Sequence, residues 1–347
     1  MNINDEVANF HVEPARIMVV GCGGGGCNTV NRLTELGIEG AGTIAANTDA
    51  KHLAVTKATK RILLGRELTR GMGAGGFPEV GKKAAEESKN DIRESLQGCD
   101  LLFLTCGLGG GTGTGAAPVV AYLAKEMGAI VIAAVTLPFK IEGARIHKAE
   151  EGLAKLREVC DTVIVIENQK LVELAGNKPL KEAFGIADGL IATMIKGITE
   201  TISQPSLVNL DYADVRTIMR AGGVATIGVG ESDSQNRARE AITKALSHPL
   251  LDVDYSGATG ALIQVIGGDD MKLEEISLIG ETVAQHMDPE ATVMWGARIL
   301  PEFSGKIQVI TIITGVKSPY ILGKTAAGKM MSSKSKLSND LGIEVIV

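Results

Sequence analysis

Residues 107–115, "GLGGGTGTG", hold six glycines in nine positions, with Thr112 and Thr114 and no lysine. Glycine accepts backbone conformations that let consecutive N–H groups curl around an anion. The familiar phosphate loop ends in Lys followed by Ser or Thr, and that pair is missing. Before the loop, "LLFLTC" at 101–106 is a continuous apolar run of strand length. After it, "APVVAYLAKEMG" at 117–128 has helical periodicity, and a helix is predicted to begin near Ala116. Strand, glycine loop and helix in that order put the loop at a helix N-terminus. Such an end carries about half a positive charge and unpaired N–H groups, so it holds an anion without a lysine. The two threonines offer hydroxyl donors to phosphate oxygens or to a metal-bound water.

The same alternation extends outward. "RIMVV" at 16–20, "TIAAN" at 43–47, "AIVIAAVT" at 129–136 and "TVIVIE" at 162–167 are further strand-length runs. Between them "GGCNTVNRLTEL" at 25–36 and "EVGKKAAEESKNDIRESL" at 79–96 have helical patterning. Near-continuous apolar strands alternating with helices imply a parallel sheet covered on both faces, with ligands at the carboxyl ends of its strands. Two more glycine loops follow strands and fall on that edge. "VVGCGGGGCNTVNRL" at 19–33 fits G-x-G-x-x-G through Gly21, Gly23 and Gly26, and "GMGAGG" occupies 71–76. The first matches a dinucleotide fingerprint, which expects an acidic residue about 20 positions later; Asp49 lies late for that role. Tight packing of helix on strand also accounts for those glycines. One dinucleotide needs one such loop, whereas three converging loops suit a triphosphate. "SPYILGKT" at 318–325 approaches a Walker loop, but Ser318 replaces its first glycine and no strand–loop–helix context surrounds it.

A long helix is expected over 181–203, stopped by Pro205. Beyond it "VATIGVG" (224–230), "ALIQVIGG" (261–268), "ATVMWGARI" (291–299) and "KIQVITIIT" (306–314) read as strands, with helices near 234–247 and 272–286. The chain therefore divides into a flexible N-terminus (1–13), a Rossmann-type domain with its central helix (14–203), a mixed α/β domain (204–315) and a basic linker with an apolar tail (316–347). Residues 317–340 hold five lysines against one aspartate, and 341–347 read "LGIEVIV". Within "SLVNLDYADVRTIM" at 206–219, Asp211 and Asp214 stand three apart at a helix start and share a face. They suit an N-cap and a first-turn acid, and equally a pair that polarises an attacking water. By chain order they lie across the long helix from the glycine edge, out of reach of a nucleotide bound by the same molecule.

Composition narrows the function classes. Hydrophobic residues make up 45% and charged residues 22% of 347, as in globular proteins. Aromatics at 3% leave few stacking platforms, and a net charge of −6 argues against binding nucleic acid. No apolar run approaches the length of a membrane span, and "MNINDEVANF" does not have the pattern of a secretory signal. Cys22, Cys27, Cys99, Cys106 and Cys160 include no C-x-x-C pair, which suits reduced thiols in a cytoplasm. The five scattered histidines suggest no metal site.

"GGGTGTG" at 109–115 is the tubulin-superfamily signature. With "GCGGGGCNTVNRL", "ANTD", "GAGGFPEVGKKAA", "PFKIEG" and "NLDYADVRTIM" in order over roughly 14–315, the chain resembles the FtsZ family, the prokaryotic cell-division tubulins, of archaeal type. That resemblance implies a tubulin-like α/β fold: a Rossmann-type parallel-sheet GTPase domain joined by a long central helix to a second mixed α/β domain. It implies a cytoplasmic GTPase that polymerises head to tail into protofilaments of a mid-cell division ring. The resemblance also implies that Asn209, Asp211 and Asp214 act in the nucleotide site of the next subunit. For GTP or GDP it implies Gly23, Gly24, Gly25, Gly26 and Asn28 in the first loop, Gly73, Ala74 and Gly75 near the γ-phosphate, and Gly110, Gly111, Thr112 and Gly113 around the phosphates. Thr136 is a further nucleotide-site position, Glu142 resembles the family's ribose contact, and Asn168 and Asp188 resemble the guanine readers. An arginine commonly stands four residues after the glutamate; Ile146 occupies that place, and Arg145 before it is the candidate. No protein ligand set for Mg²⁺ is visible, so the ion is expected to rest mainly on phosphate and water. Expected partners are further copies of the chain and a membrane adaptor or other division proteins, with 341–347 as the candidate docking segment. A nicotinamide oxidoreductase leaves the 109–115 loop and the aspartates unexplained, and a non-catalytic scaffold leaves the retained carboxylates unexplained.

Overall fold

A computed structural model describes residues 14–204, 206–208, 210–220, 223–247 and 254–316. The expectations for 1–13, Pro205, Asn209, the 318–325 stretch and the basic tail with 341–347 lie outside the described residues.

The first half holds strands β1 (Ile17–Cys22), β2 (Ala41–Asn47), β3 (Lys60–Leu63), β4 (Leu101–Gly107), β5 (Ile130–Leu137) and β6 (Thr162–Glu167). The second holds β7 (Gly223–Ser232), β8 (Gly260–Gly267), β9 (Thr292–Ile299) and β10 (Ile307–Thr314). Among the described residues they form one ten-stranded sheet in the order β3-β2-β1-β4-β5-β6-β7-β10-β8-β9. Strands β1 to β6 pair in parallel, and β1 is buried along its whole length. That is the outcome expected of apolar runs without alternation, since helices cover both faces. The second half adds antiparallel pairs, β7 with β10 and β10 with β8, and then the parallel pair β8 with β9. Three parallel pairs between β6 and β7, such as Thr162 with Gly223, make the sheet continuous across the two halves.

One core packs Met18, Val20, Leu102, Leu104, Val131 and Ala133 of the sheet under Ala117, Val120 and Leu153 of two covering helices. The opposite core joins Ile17, Val19, Phe103 and Ile132 to Val30 and Leu33 of the first helix (Gly23–Glu35). It continues through Ile191, Met194, Ile195 and Ile198 of the central helix (Leu180–Ser203) to Ile227, Leu262 and Ile312 of the second half. The central helix is thus buried against both halves, with its end at Ser203 as the sequence predicts. A third core lies within the second half, between Ala241, Ile242, Ile279 and the strands β8 and β10.

Two boundaries differ from the sequence reading. The signature helix spans Thr112–Glu126, so Thr112 and Gly113 form its first turn rather than a loop before Ala116. The first helix begins at Gly23, two residues before the helical patterning read from Gly25 onward. Glycine's low helix propensity argues for loops at both places. Close packing overrides it: a Cβ at Gly115 would lie 1.9 Å from the carbonyl oxygen of Pro78, and one at Gly113 would lie 2.7 Å from that of Gly107.

Candidate functional site

In the sheet order, β1 continues outward to β2 while its other neighbour β4 continues outward to β5. The reversal opens a crevice at the carboxyl ends of β1 and β4, where open α/β sheets bind ligands. A cleft of about 1110 Å³ lies there. The first helix and the signature helix both begin at it, each without an acidic residue in its first turn or a side-chain cap. Their free N–H groups and dipoles converge, a site built for anionic oxygen.

The predicted glycines sort into two groups. Gly24, Gly25, Gly110, Gly111 and Gly113 line the cleft with Thr112. Gly110 has open space where a Cβ would project. Gly23 and Gly26 do not line it but permit close approach. A Cβ on Gly23 would sit 2.7 Å from the Gly113 nitrogen, and one on Gly26 would sit 2.3 Å from the Thr105 carbonyl oxygen. Gly73, Ala74 and Gly75 also stay outside the cleft wall, in a loop packed behind the signature turn. Gly73 N–H donates to the Thr48 carbonyl (3.0 Å), and a Cβ on Gly111 would meet Ala74 Cβ at 2.9 Å.

The two threonines have different roles. Thr112 Oγ1 hydrogen-bonds Thr48 Oγ1 at 2.6 Å and lines the cleft. Thr114 does not reach the cleft: it is buried and its hydroxyl oxygen accepts from Gly109 N–H at 2.9 Å, bracing the loop. Asp49 is no ribose ligand either. It caps a short helix, accepting from Lys51 N–H (2.9 Å) and His52 N–H (3.1 Å). His52 orients Asn28 instead. Asn47 Nδ2 donates to His52 Nδ1 (3.3 Å), which leaves His52 Nε2–H to donate to Asn28 Oδ1 (3.2 Å). The amide hydrogens of Asn28 remain for a ligand.

Thr136, Glu142 and Arg145 form the adjoining wall. Glu142 accepts from Phe139 N–H (2.9 Å) and pairs with Arg145, and each of its oxygens keeps a second acceptor site. At the far end stand Asn168 and Asp188. Asn168 Oδ1 is buried with no hydrogen-bond partner, an acceptor waiting for a donor. Burial pushes the Asp188 carboxyl up to about 6, opposed by a hydrogen bond from Thr29 and by the charge of Arg32.

Sequence reasoning missed Asn31, Arg32, Glu35 and Phe184, which share this wall. Their signal was helical spacing: Asn31, Arg32 and Glu35 follow Asn28 by three, four and seven, and Phe184 precedes Asp188 by four. Phe184 packs edge-on against Phe139, with ring centroids 5.6 Å apart, and gives that end of the cleft a flat apolar face.

Asp211 and Asp214 are elsewhere. Asp214 Oδ2 accepts from Asp211 N–H at 3.0 Å at the start of the helix Tyr212–Arg220. Tyr212 Oη donates to the Asp100 carbonyl (2.9 Å), just before β4 begins. The glycine turn lies beyond the other end of that seven-residue strand, roughly 20 Å away at about 3.3 Å per residue. The aspartates and the cleft occupy opposite edges of one sheet, so one molecule does not bring them together. No group of three or more His, Cys, Asp or Glu able to hold a metal ion occurs among the described residues. No helix among them is long and apolar enough to cross a membrane.

Residues 16–176 match the Tubulin/FtsZ family, GTPase domain, and residues 223–317 match the FtsZ family, C-terminal domain. The chain is 59% identical over 323 residues to cell division protein FtsZ 2 of Methanocaldococcus jannaschii, covering 92% of this chain and 85% of that protein. It is 57% identical to cell division protein FtsZ 1 of Thermococcus kodakarensis, over 88% of this chain and 82% of the relative. The empty FtsZ dimer of M. jannaschii superposes with a TM-score of 0.84 at 50% identity, covering 91% of this chain and 93% of that one. With both family segments in order along it, the chain belongs to the FtsZ family of tubulin-like GTPases.

Proposed function

We propose that the cleft binds GTP, that a second copy of the chain supplies the carboxylates for hydrolysis, and that the resulting head-to-tail protofilaments serve cell division. The separation of cleft and aspartates on opposite sheet edges carries this reading. Stacking the amino edge of one copy on the carboxyl edge of the next would bring Asp211 and Asp214 to the phosphate end of the neighbour's cleft. The dimeric form of the M. jannaschii relative supports self-association, and the relatives' names support the division role.

In this reading the triphosphate rests on the two helix N-termini through Gly24, Gly25, Gly110, Gly111, Thr112 and Gly113. The ribose meets Thr136, Glu142 and Arg145. The base lies against Phe184, with Asn168 and Asp188 meeting the polar edge of guanine. The free N-termini, the open space at Gly110 and the unpartnered Asn168 Oδ1 fit such a ligand. A site that pairs a base's polar groups rejects analogues lacking them, because its own groups are then left buried and unpaired. Asp211 and Asp214 of the incoming copy orient and deprotonate the attacking water, and Asn209 is assigned to the same step. Mg²⁺ would neutralise the phosphate charge, held mainly by phosphate oxygens and water. Membrane attachment falls to an adaptor, with 341–347 as its docking segment, in a cytoplasmic ring at mid-cell.

The test is GTP hydrolysis against protein concentration with Mg²⁺, for wild type and Asp214→Ala, followed by pelleting. Specific activity should rise above a threshold concentration, and the variant should pellet without hydrolysing. Activity per molecule that is flat with concentration would mean a site complete within one chain, and the reading would fall.

A further inference from the structure

The base end of the cleft contains one contact that the proposed function does not use. Thr29, on the inner face of the first helix, is 2% exposed and donates its hydroxyl to Asp188 Oδ1 at 2.8 Å. The two residues lie on different helices, 159 positions apart in the chain. The hydroxyl also has an alternative acceptor, the Gly25 carbonyl one turn back, at 3.3 Å. A hydroxyl has one proton to give, and the shorter bond to a carboxylate is the stronger. A carboxyl group on an exposed helix turn rotates freely, whereas this one is tethered through Oδ1 to a hydroxyl on another helix.

We propose that Thr29 is a positioning residue for base selection, fixing the Asp188 carboxylate so that its remaining lone pairs face the N1–H and 2-amino donors of guanine. The proposal rests on the GTP reading of the cleft. It assigns the selectivity to a pair, with Asp188 touching the base and Thr29 acting only through it.

The pair has a pH signature. The donors of guanine need the ionised carboxylate, so a proton on Asp188 competes with the base. Burial raises this carboxyl to about 6, while Thr29 and Arg32 favour its charged form. Other charged groups along the same wall are Glu35 on the first helix and Lys178 and Glu182 at the start of the central helix. GTP affinity should therefore fade as pH falls through about 6. Without the Thr29 hydroxyl the carboxyl titrates higher, and the fade should begin at higher pH. When Asp188 is protonated, Thr29 can turn its proton to Gly25 and accept from the acid, so the pair tolerates both states.

The experiment uses the full chain below its assembly threshold. GTP, ITP (which lacks the 2-amino group) and XTP are titrated between about pH 5.5 and 8 against wild type, Thr29→Val, Thr29→Ser and Asp188→Asn. Thr29→Val should move the midpoint of GTP binding up by about one pH unit, a tenfold weakening at the acid end, and narrow the GTP-over-ITP ratio. Thr29→Ser should restore both. A midpoint and ratio in Thr29→Val equal to wild type would overturn the proposal. Should valine crowd the site, Thr29→Ala compared with Thr29→Ser reads the same shift. Asp188→Asn separates the two levels of argument. If it leaves the preference between GTP and XTP unchanged, the base-reading assignment fails whatever Thr29 does. If it changes that preference while Thr29→Val is silent, only the positioning role fails.

Discussion

At the scale of single residues, glycines that look alike in sequence do different work. Gly26 and Gly110 both sit in glycine runs after strands. A Cβ on Gly26 would strike backbone at 2.3 Å and 2.8 Å, whereas one on Gly110 would meet nothing within 4 Å. Gly26→Ala should therefore push the first helix off β1 and β4 and cost about 1–3 kcal/mol in thermal or urea unfolding. Gly110→Ala should leave stability within about 0.5 kcal/mol of wild type, yet weaken nucleotide binding in a direct titration. Asp188 gives a second expectation. Its carboxyl is raised to about 6 in the folded chain from an ordinary value of 3.8. The folded state then binds the extra proton between those values, so this group's contribution to stability falls as pH rises through that window. Asp188→Asn should make the nucleotide-free protein equally or more resistant to heat above pH 6 while abolishing the extra stabilisation by GTP. Only the family resemblance pointed to Asp188 in the sequence. Its partner Thr29 was not legible, because nothing local ties residue 29 to residue 188.

At the scale of elements, the central helix is a tie as well as a divider. Its Lys196 donates to the carbonyls of Leu36 (3.1 Å) and Gly37, in the loop before β2. One turn on, nearly buried Glu200 pairs with Lys196 at 3.0 Å and with Arg298 of β9 at 2.8 Å, and Gln204 bonds both Glu39 and Arg298. Breaking a buried pair leaves a charge without compensation. Glu200→Ala should cost about 3 kcal/mol, read by urea unfolding, and Glu200→Gln should cost less because it still accepts from Arg298. The sequence reading found this helix within one residue of its observed start, and found the main strands too, because buried parallel strands and a long apolar helix are strong patterns. It misplaced the start of the signature helix, gave no bounds to β3, the strand-like run before the 71–76 loop, and missed the short helix Arg66–Thr69 between them. That strand has only four residues, two of them exposed, too short and too polar to stand out.

At the scale of the whole molecule, the two domains read from the strand and helix pattern share one sheet through the β6–β7 pairing. The sheet gives the molecule two chemically distinct edges, with helix N-termini and the cleft on one and the aspartate turn on the other. The proposed assembly of the site between copies makes a complementation test decisive. A cleft-defective variant such as Asp188→Ala should be inactive alone, as should Asp214→Ala. Mixed in equal amounts, about a quarter of junctions would join an intact cleft to intact aspartates, because each heterologous contact uses one edge from each copy. Recovery of that order of GTPase activity is expected from the mixture, whereas a site within one chain would recover none.

The sequence by itself determined the element types, the glycine turns at the ends of strands and the family, because these depend on local periodicity, backbone sterics and short motifs. Only the tertiary structure decided which glycines line the cleft and which pass under a neighbouring carbonyl. It alone joined Thr29 to Asp188 and set Thr114 as a brace rather than a ligand. It also put the aspartates about one strand length from the glycine turns of the cleft. These are contacts between residues far apart in the chain, and their distances follow from the order in which strands enter the sheet, which no local pattern encodes.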